Sequence, residues 1–104
     1  MNIQFASRKM EAIVTNERLR QKKYGQLSRL IASRLAELEA ANSLAEIPEG
    51  PPPRRHKLTG DFTNCWSVSI SQNYRIILSP IGEYDKTVLS SITEVEILDI
   101  CDYH

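Results

Sequence analysis

Cys65-Trp66-Ser67-Val68-Ser69-Ile70 alternates between large and small side chains, and Ser71-Gln72-Asn73 separates it from Tyr74-Arg75-Ile76-Ile77-Leu78. Successive side chains of a strand point to opposite faces. Trp66, Val68 and Ile70 therefore share one face, and Cys65, Ser67 and Ser69 share the other. A short polar connection between two such runs predicts a β-hairpin. Its second strand sets Tyr74, Ile76 and Leu78 against Arg75 and Ile77. One face is suited to burial, and the other carries a cation among small residues.

After the hairpin, Pro80 to Asp85 reads as a loop and Ile92 to His104 as a final strand. Val95 and Ile97 fall on one face of that strand, Leu98 and Ile100 on the other. Such a pattern requires burial on both sides or a bulge between Ile97 and Leu98. Before the hairpin, Pro48, Gly50, Pro51, Pro52 and Pro53 form a stiff connector. Arg54 to Leu58 then reads as extended, and Thr59-Gly60-Asp61 as a turn.

The first part of the chain has another period. Asn2 to Ala6 reads as a short strand with Ile3 and Phe5 on one side. Ser7 is a candidate cap for a helix carrying Met10, Ile13 and Val14; Thr15-Asn16 interrupts or re-caps it before Glu17 to Lys23, and Tyr24-Gly25 ends it. In the second helix Leu27, Leu30, Ile31, Leu35 and Leu38 form an apolar stripe, with Arg29, Arg34, Glu37 and Glu39 outside it. Ser43-Leu44-Ala45-Glu46 matches a capping box. The expected fold is a single α+β domain over residues 1–104, with two N-terminal helices on one face of a small, mainly antiparallel sheet. The other sheet face is expected to be free for a ligand.

With 104 residues the chain holds one modest core. It has no apolar stretch near the roughly 20 residues of a membrane helix and no recognisable leader. A cytoplasmic protein with reduced Cys65 and Cys101 is expected, without a membrane partner. A zinc site is disfavoured: no Cys-x-x-Cys pair exists, and alternation separates Cys101 from His104. The formal net charge of zero hides segregation. Residues 1–34 hold eight Lys/Arg against Glu11 and Glu17, while residues 51–75 hold Arg54, Arg55, Lys57 and Arg75 against Asp61. Cationic patches of this kind suit a polyanion.

Two imidazoles, His56 and His104, stand beside those cations or close the chain. RNA cleavage through the 2′-hydroxyl needs a base, an acid and fixed positive charge at the phosphate. Imidazole serves the first two needs and guanidinium the third. Asp102 lies two residues before His104, on the same strand face if the strand is regular, where it could orient an imidazole. Tyr103 could stack on a base or bond a phosphate. Arg54, Arg55, Lys57 and Arg75 are the candidate phosphate ligands.

The segment from Pro51 to Asp61 (PPPRRHKLTGD), with Trp66-Ser67-Val68, Tyr74-Arg75-Ile76 and the closing run from Glu96 to His104 (EILDICDYH), resembles HigB-type toxins of the RelE/ParE superfamily. These belong to bacterial type II toxin–antitoxin modules, and the similarity extends over nearly the whole chain. The resemblance implies a RelE-like fold and a ribosome-dependent mRNA endonuclease (an mRNA interferase) that works without metal or cofactor and inhibits translation. It implies catalytic roles for His56, Asp102, Tyr103 and His104, and a phosphate contact for Arg75. It also implies a HigA-like helix-turn-helix antitoxin, with operator DNA reached only through that partner. Thr59 stands where many relatives carry lysine, and Phe62, Thr63 and Asn64 where relatives are often basic. Two alternatives stay open: a ParE-like toxin that binds DNA gyrase, and an attenuated homologue acting mainly through antitoxin binding.

Overall fold

Two side-chain caps divide the N-terminal third of the chain. In the computed structural model, which describes residues 1–102, the Ser7 hydroxyl accepts the Met10 N–H at 3.0 Å and starts α1 (Arg8–Val14). The Asn16 side chain accepts the Leu19 N–H at 3.0 Å and starts α2 (Glu17–Tyr24). Caps of this kind satisfy amide donors that a helix start leaves without partners. Gly25, at φ 56, turns the chain into α3 (Ser28–Ala40). The expected first helix is therefore two helices, joined at the point where Thr15-Asn16 interrupts the pattern.

The strands are β1 (Asn2–Phe5), β2 (His56–Lys57), β3 (Trp66–Ser69), β4 (Tyr74–Pro80) and β5 (Glu94–Asp102). They form one sheet in the order β1-β5-β4-β3-β2. β1 runs parallel to β5, and the other neighbours are antiparallel. This is the α+β architecture expected from the sequence. The β4–β5 register shifts between Ile77, opposite Asp99, and Leu78, opposite Ile97. Leu98 is the extra residue of a bulge, one of the two solutions that the apolar pattern of this strand allows.

Val14, Ile31, Leu35 and Leu38 from the helices pack with Val68, Ile76, Leu78, Val95, Ile97 and Ile100 from the sheet. Full burial of each large aliphatic side chain contributes roughly 1.5–3 kcal/mol, so this layer supplies most of the drive to fold. Leu30 departs from the expected stripe and is exposed, because α3 turns that position outward. Arg34 departs in the opposite direction. It is 6% exposed; its Nε donates to the Ser69 carbonyl at 2.8 Å, and its Nη1 pairs with Glu37. A buried guanidinium is tolerated here because Nε has a partner at the end of β3 and Nη1 one on α3.

Smaller corrections follow the same physics. β4 continues to Pro80, where a loop was expected, because proline is tolerated at a strand end. Leu44–Glu46 forms a single 3-10 turn, but Ser43 makes no side-chain cap bond. Glu46 instead accepts the Asn42 N–H at 2.9 Å. The sheet face away from the helices is not wholly free. Leu58, Cys65 and Ile77 are buried there, with Phe62, Leu98 and Cys101 packed against them.

Arg34→Met keeps the apolar stem but leaves the Ser69 carbonyl without its charged donor. The expected cost is about 1–3 kcal/mol, read as a lower denaturant midpoint. An unchanged midpoint would contradict the structural role given to Arg34.

Candidate functional site

The proline connector folds back on itself before it enters the sheet. The Arg54 N–H donates to the Gly50 carbonyl at 3.0 Å, and the Arg55 N–H to the Pro48 carbonyl at 2.9 Å. The Ser69 N–H donates to the Pro53 carbonyl at 2.6 Å, fastening the connector to the end of β3. Arg54 sits at φ 47, a left-handed conformation that costs a non-glycine residue roughly 1–2 kcal/mol. The folded connector, the edge strand β2 and Arg75 on β4 enclose an open cleft of about 330 Å³, lined by Glu49, Arg54, Arg55, His56 and Arg75.

His56 lies opposite Ser67 in the β2–β3 register, and its side chain is exposed. Ser67 is fully buried, and its hydroxyl accepts a hydrogen bond from Arg75 Nη1 at 3.1 Å. One serine thus pairs through its backbone with the imidazole-bearing residue and through its hydroxyl with the guanidinium. Sequence reading overlooked Ser67 as a site residue, although strand alternation had already set it on the Arg75 face.

Arg54, Arg55, His56 and Arg75 come together in the cleft, but Arg55 is largely occupied. Its Nη1 donates to the Leu44 carbonyl at 3.2 Å, its Nη2 contacts Glu49 Oε1 at 3.0 Å, and its guanidinium lies 5.5 Å from the Trp66 ring centroid. Its Nε is buried without a hydrogen-bond partner among the described residues. Arg54 and Arg75 are therefore the cations better disposed to meet an anion. Lys57 points to the opposite face. It pairs in register with Trp66, and its ammonium lies 5.8 Å from that ring centroid. Alternation beside His56 separates them.

Asp102 lies opposite Tyr74 at the end of the described part of β5. Register sets it on the Tyr74 side of the sheet, while Cys101 lies opposite Arg75. His56 and Asp102 belong to strands separated by β3 and β4, roughly 14 Å at three strand spacings. Tyr103 and His104 lie outside the described residues. Burial pushes both the Cys65 and Cys101 thiols up, with Asp99 adding to the shift at Cys101, so neither is an activated nucleophile. No cluster of three His, Cys, Asp or Glu residues suited to a metal occurs among the described residues, and no helix among them is long and apolar enough to cross a membrane.

The basic N-terminal segment is also divided by the fold. Arg20 Nε donates to the Ser28 carbonyl at 3.1 Å and hydroxyl at 2.8 Å, and its Nη1 donates to the Val14 carbonyl at 2.8 Å. It ties three helices together. With Arg34 likewise internal, Arg8, Lys9, Arg18, Lys22, Lys23 and Arg29 remain exposed.

No protein-family model matches the chain, and no curated protein matches it by sequence. Solved structures do. A YoeB/ParE toxin from Agrobacterium tumefaciens superposes with a TM-score of 0.61 over 100% of both chains, at 13% identity. A YoeB-YefM complex from Staphylococcus aureus gives 0.58 over 100% of this chain and 97% of that one, at 16% identity. A YoeB dimer from the same organism gives 0.57 over the same shares, at 18% identity. The chain has the RelE/YoeB-like toxin fold.

Arg54→Gly and Arg54→Ala should separate conformation from charge. Both remove the guanidinium, and only glycine suits the left-handed backbone. The glycine variant should be more stable than the alanine variant by about 1 kcal/mol, because it relieves the left-handed strain. Equal melting temperatures would count against strain at residue 54.

Proposed function

We propose that this protein is a toxin of a type II toxin–antitoxin module, in the RelE/ParE superfamily, and that it cleaves RNA in the His56 cleft. The observation that carries this reading is the meeting of His56, Arg54 and Arg75 in one open cleft on a toxin fold. The fold likeness supports a toxin, and the cleft supplies the chemistry. The neighbours described above are YoeB and ParE toxins, so they support the toxin class and not the HigB subtype suggested by sequence.

In the proposed reaction the 2′-oxygen of one nucleotide attacks the adjacent phosphorus. A new oxygen–phosphorus bond forms, and the bond to the 5′-oxygen breaks. A base takes the 2′-hydroxyl proton, and an acid supplies a proton to the departing 5′-oxygen. His56 performs one transfer; the other is assigned to Tyr103 and His104 on the sequence resemblance alone, while Asp102, which register turns to the Tyr74 face, takes no direct part. Arg75, held by Ser67, stabilises charge on the phosphoryl oxygens, with Arg54 beside it. The products are a 2′,3′-cyclic phosphate and a free 5′-hydroxyl.

The substrate in this reading is translated mRNA at the ribosome, and the controlling partner is an antitoxin. A neighbour solved as a YoeB-YefM complex supports an antitoxin partner. The helix-turn-helix type expected from sequence draws no support from it. A gyrase-binding role, as implied for ParE-like relatives, gives the His56–Arg75 arrangement no task and is the weaker reading.

Purified protein is expected to cut a reporter mRNA in a translation extract and to spare the same mRNA when ribosomes are removed. His56→Gln should lower the rate by roughly 10²–10⁴-fold, and Arg75→Ala by about 10²–10³-fold, with folding unchanged by circular dichroism. A 2′-deoxy nucleotide at the cut position should block cleavage. Persistent cutting at that position would exclude 2′-hydroxyl attack.

A further inference from the structure

A second cleft, of about 230 Å³, lies where α1 and α2 meet the outer edge of β5. Met10, Ile13 and Ile100 give it apolar walls, and Tyr24, Asp99, Lys9 and Lys23 border it. Lys23 Nζ lies 5.5 Å from the centroid of the Tyr24 ring. The two ion pairs seen among the described residues, Arg34–Glu37 and Arg55–Glu49, involve neither Lys9 nor Lys23. Both lysines are exposed. The site therefore offers a flat aromatic ring, apolar walls, two ammonium groups and one carboxylate.

The adjacent strand edge disfavours one class of occupant. β1 ends at Phe5, and the Ala6 N–H makes its last bond to β5, to the Ile97 carbonyl at 2.9 Å. Just beyond, the Ile100 N–H donates to Asp99 Oδ1 at 2.8 Å. An edge donor capped by a side chain is a poor template for an added peptide strand. Burial, then Asp99, Cys101 and Tyr74, hold the Tyr24 hydroxyl above its usual range, so it stays a neutral hydrogen-bond donor.

The second cleft borders β5, and the first reaches the neighbouring strand β4 through Arg75. Arg75 of the first cleft lies opposite Cys101, while Asp99 and Ile100 border the second. One strand spacing, about 4.8 Å, separates β4 from β5 there. We propose that the second cleft binds a nucleotide of the same RNA strand, several positions along from the one held in the His56 cleft and beyond the reach of a trinucleotide seated there. Its base packs on Tyr24 between Met10 and Ile100, its phosphate meets Lys9 and Lys23, and Asp99 accepts from a base amino group. Aromatic stacking beside a cationic track is the general recipe for holding single strands. The assignment rests on the RNA reading given above.

The test uses the full chain and all-deoxy oligonucleotides, which cannot be cut by 2′-hydroxyl attack. Affinity for a trinucleotide and an octanucleotide is measured by fluorescence anisotropy. Lys9→Gln/Lys23→Gln, both at exposed positions, and Tyr24→Leu are expected to weaken the octanucleotide by about tenfold and leave the trinucleotide nearly unchanged. The lysine pair should also reduce the salt dependence of octanucleotide binding by about one phosphate contact. Octanucleotide affinity equal to wild type in the lysine variant would overturn the proposal, whatever Tyr24→Leu does to folding. A loss confined to antitoxin affinity would overturn it too, and make the cleft a protein-docking site. Arg54→Ala/Arg75→Ala should weaken both oligonucleotides. If that pair binds normally while the lysine pair does not, the His56 cleft loses its RNA reading and the second cleft keeps its own. Binding of neither oligonucleotide by the wild type would defeat both.

Discussion

One extra residue in β5 organises the sheet. Before Leu98, Val95 and Ile97 face the helices; after it, Ile100 faces them again. In an unbroken strand Ile100 would fall on the face opposite Ile97. The bulge keeps all three in the main core and turns Leu98 and Cys101 to the other side, against Leu58, Cys65 and Ile77. Both cores thus depend on one register shift. The same shift sets Cys101 opposite Arg75.

The arginines show how far sequence charge overstates available charge. A guanidinium has five donors in a planar fork, so it can join carbonyl groups that would otherwise lack partners. Arg20 does this for α1 and α3, Arg34 for the end of β3, and Arg55 for Leu44 and Glu49. Each sits in a run that reads from sequence as a solvated basic face or a phosphate-binding set. Among the cations left at the surface are Arg54 and Arg75 at one cleft and Lys9 and Lys23 at the other. A chain with no net charge can still present local positive surface in this way.

The hairpin, the α+β order and the connector were legible because each rests on a local rule, and the bulge was one of the two readings the final strand allowed. Alternation, caps, prolines and a doubled apolar position act within a few residues. The misplacements at Leu30 and Arg34 arise at longer range. A helical stripe marks the average buried direction, but the Ser69 carbonyl decides which borderline position turns inward. The division within Arg54 to Lys57 was half legible. Alternation separates His56 from Lys57, but nothing local foretells that Arg55 folds onto Trp66. Ser67 went unread because a serine between apolar residues looks like a small filler. Its importance comes from Arg75, eight residues away on the next strand.

The location of His56 raises a mechanical question, since β2 has only two residues and lies at the sheet edge. Edge elements with few hydrogen bonds open easily, whereas the proton transfer proposed for His56 demands a fixed imidazole. Neighbours on both sides resolve the conflict. Before it, Arg55 is clamped by Leu44, Glu49 and Trp66, and Pro53 is bonded to Ser69. After it, the Leu58 N–H donates to the Cys65 carbonyl at 3.0 Å, and the Leu58 side chain is buried against Ile77. His56 is thus suspended between two anchors, exposed while its backbone is held. On this view the internal contacts of Arg55 are not a loss to the site. They are what lets a two-residue strand hold an imidazole in position.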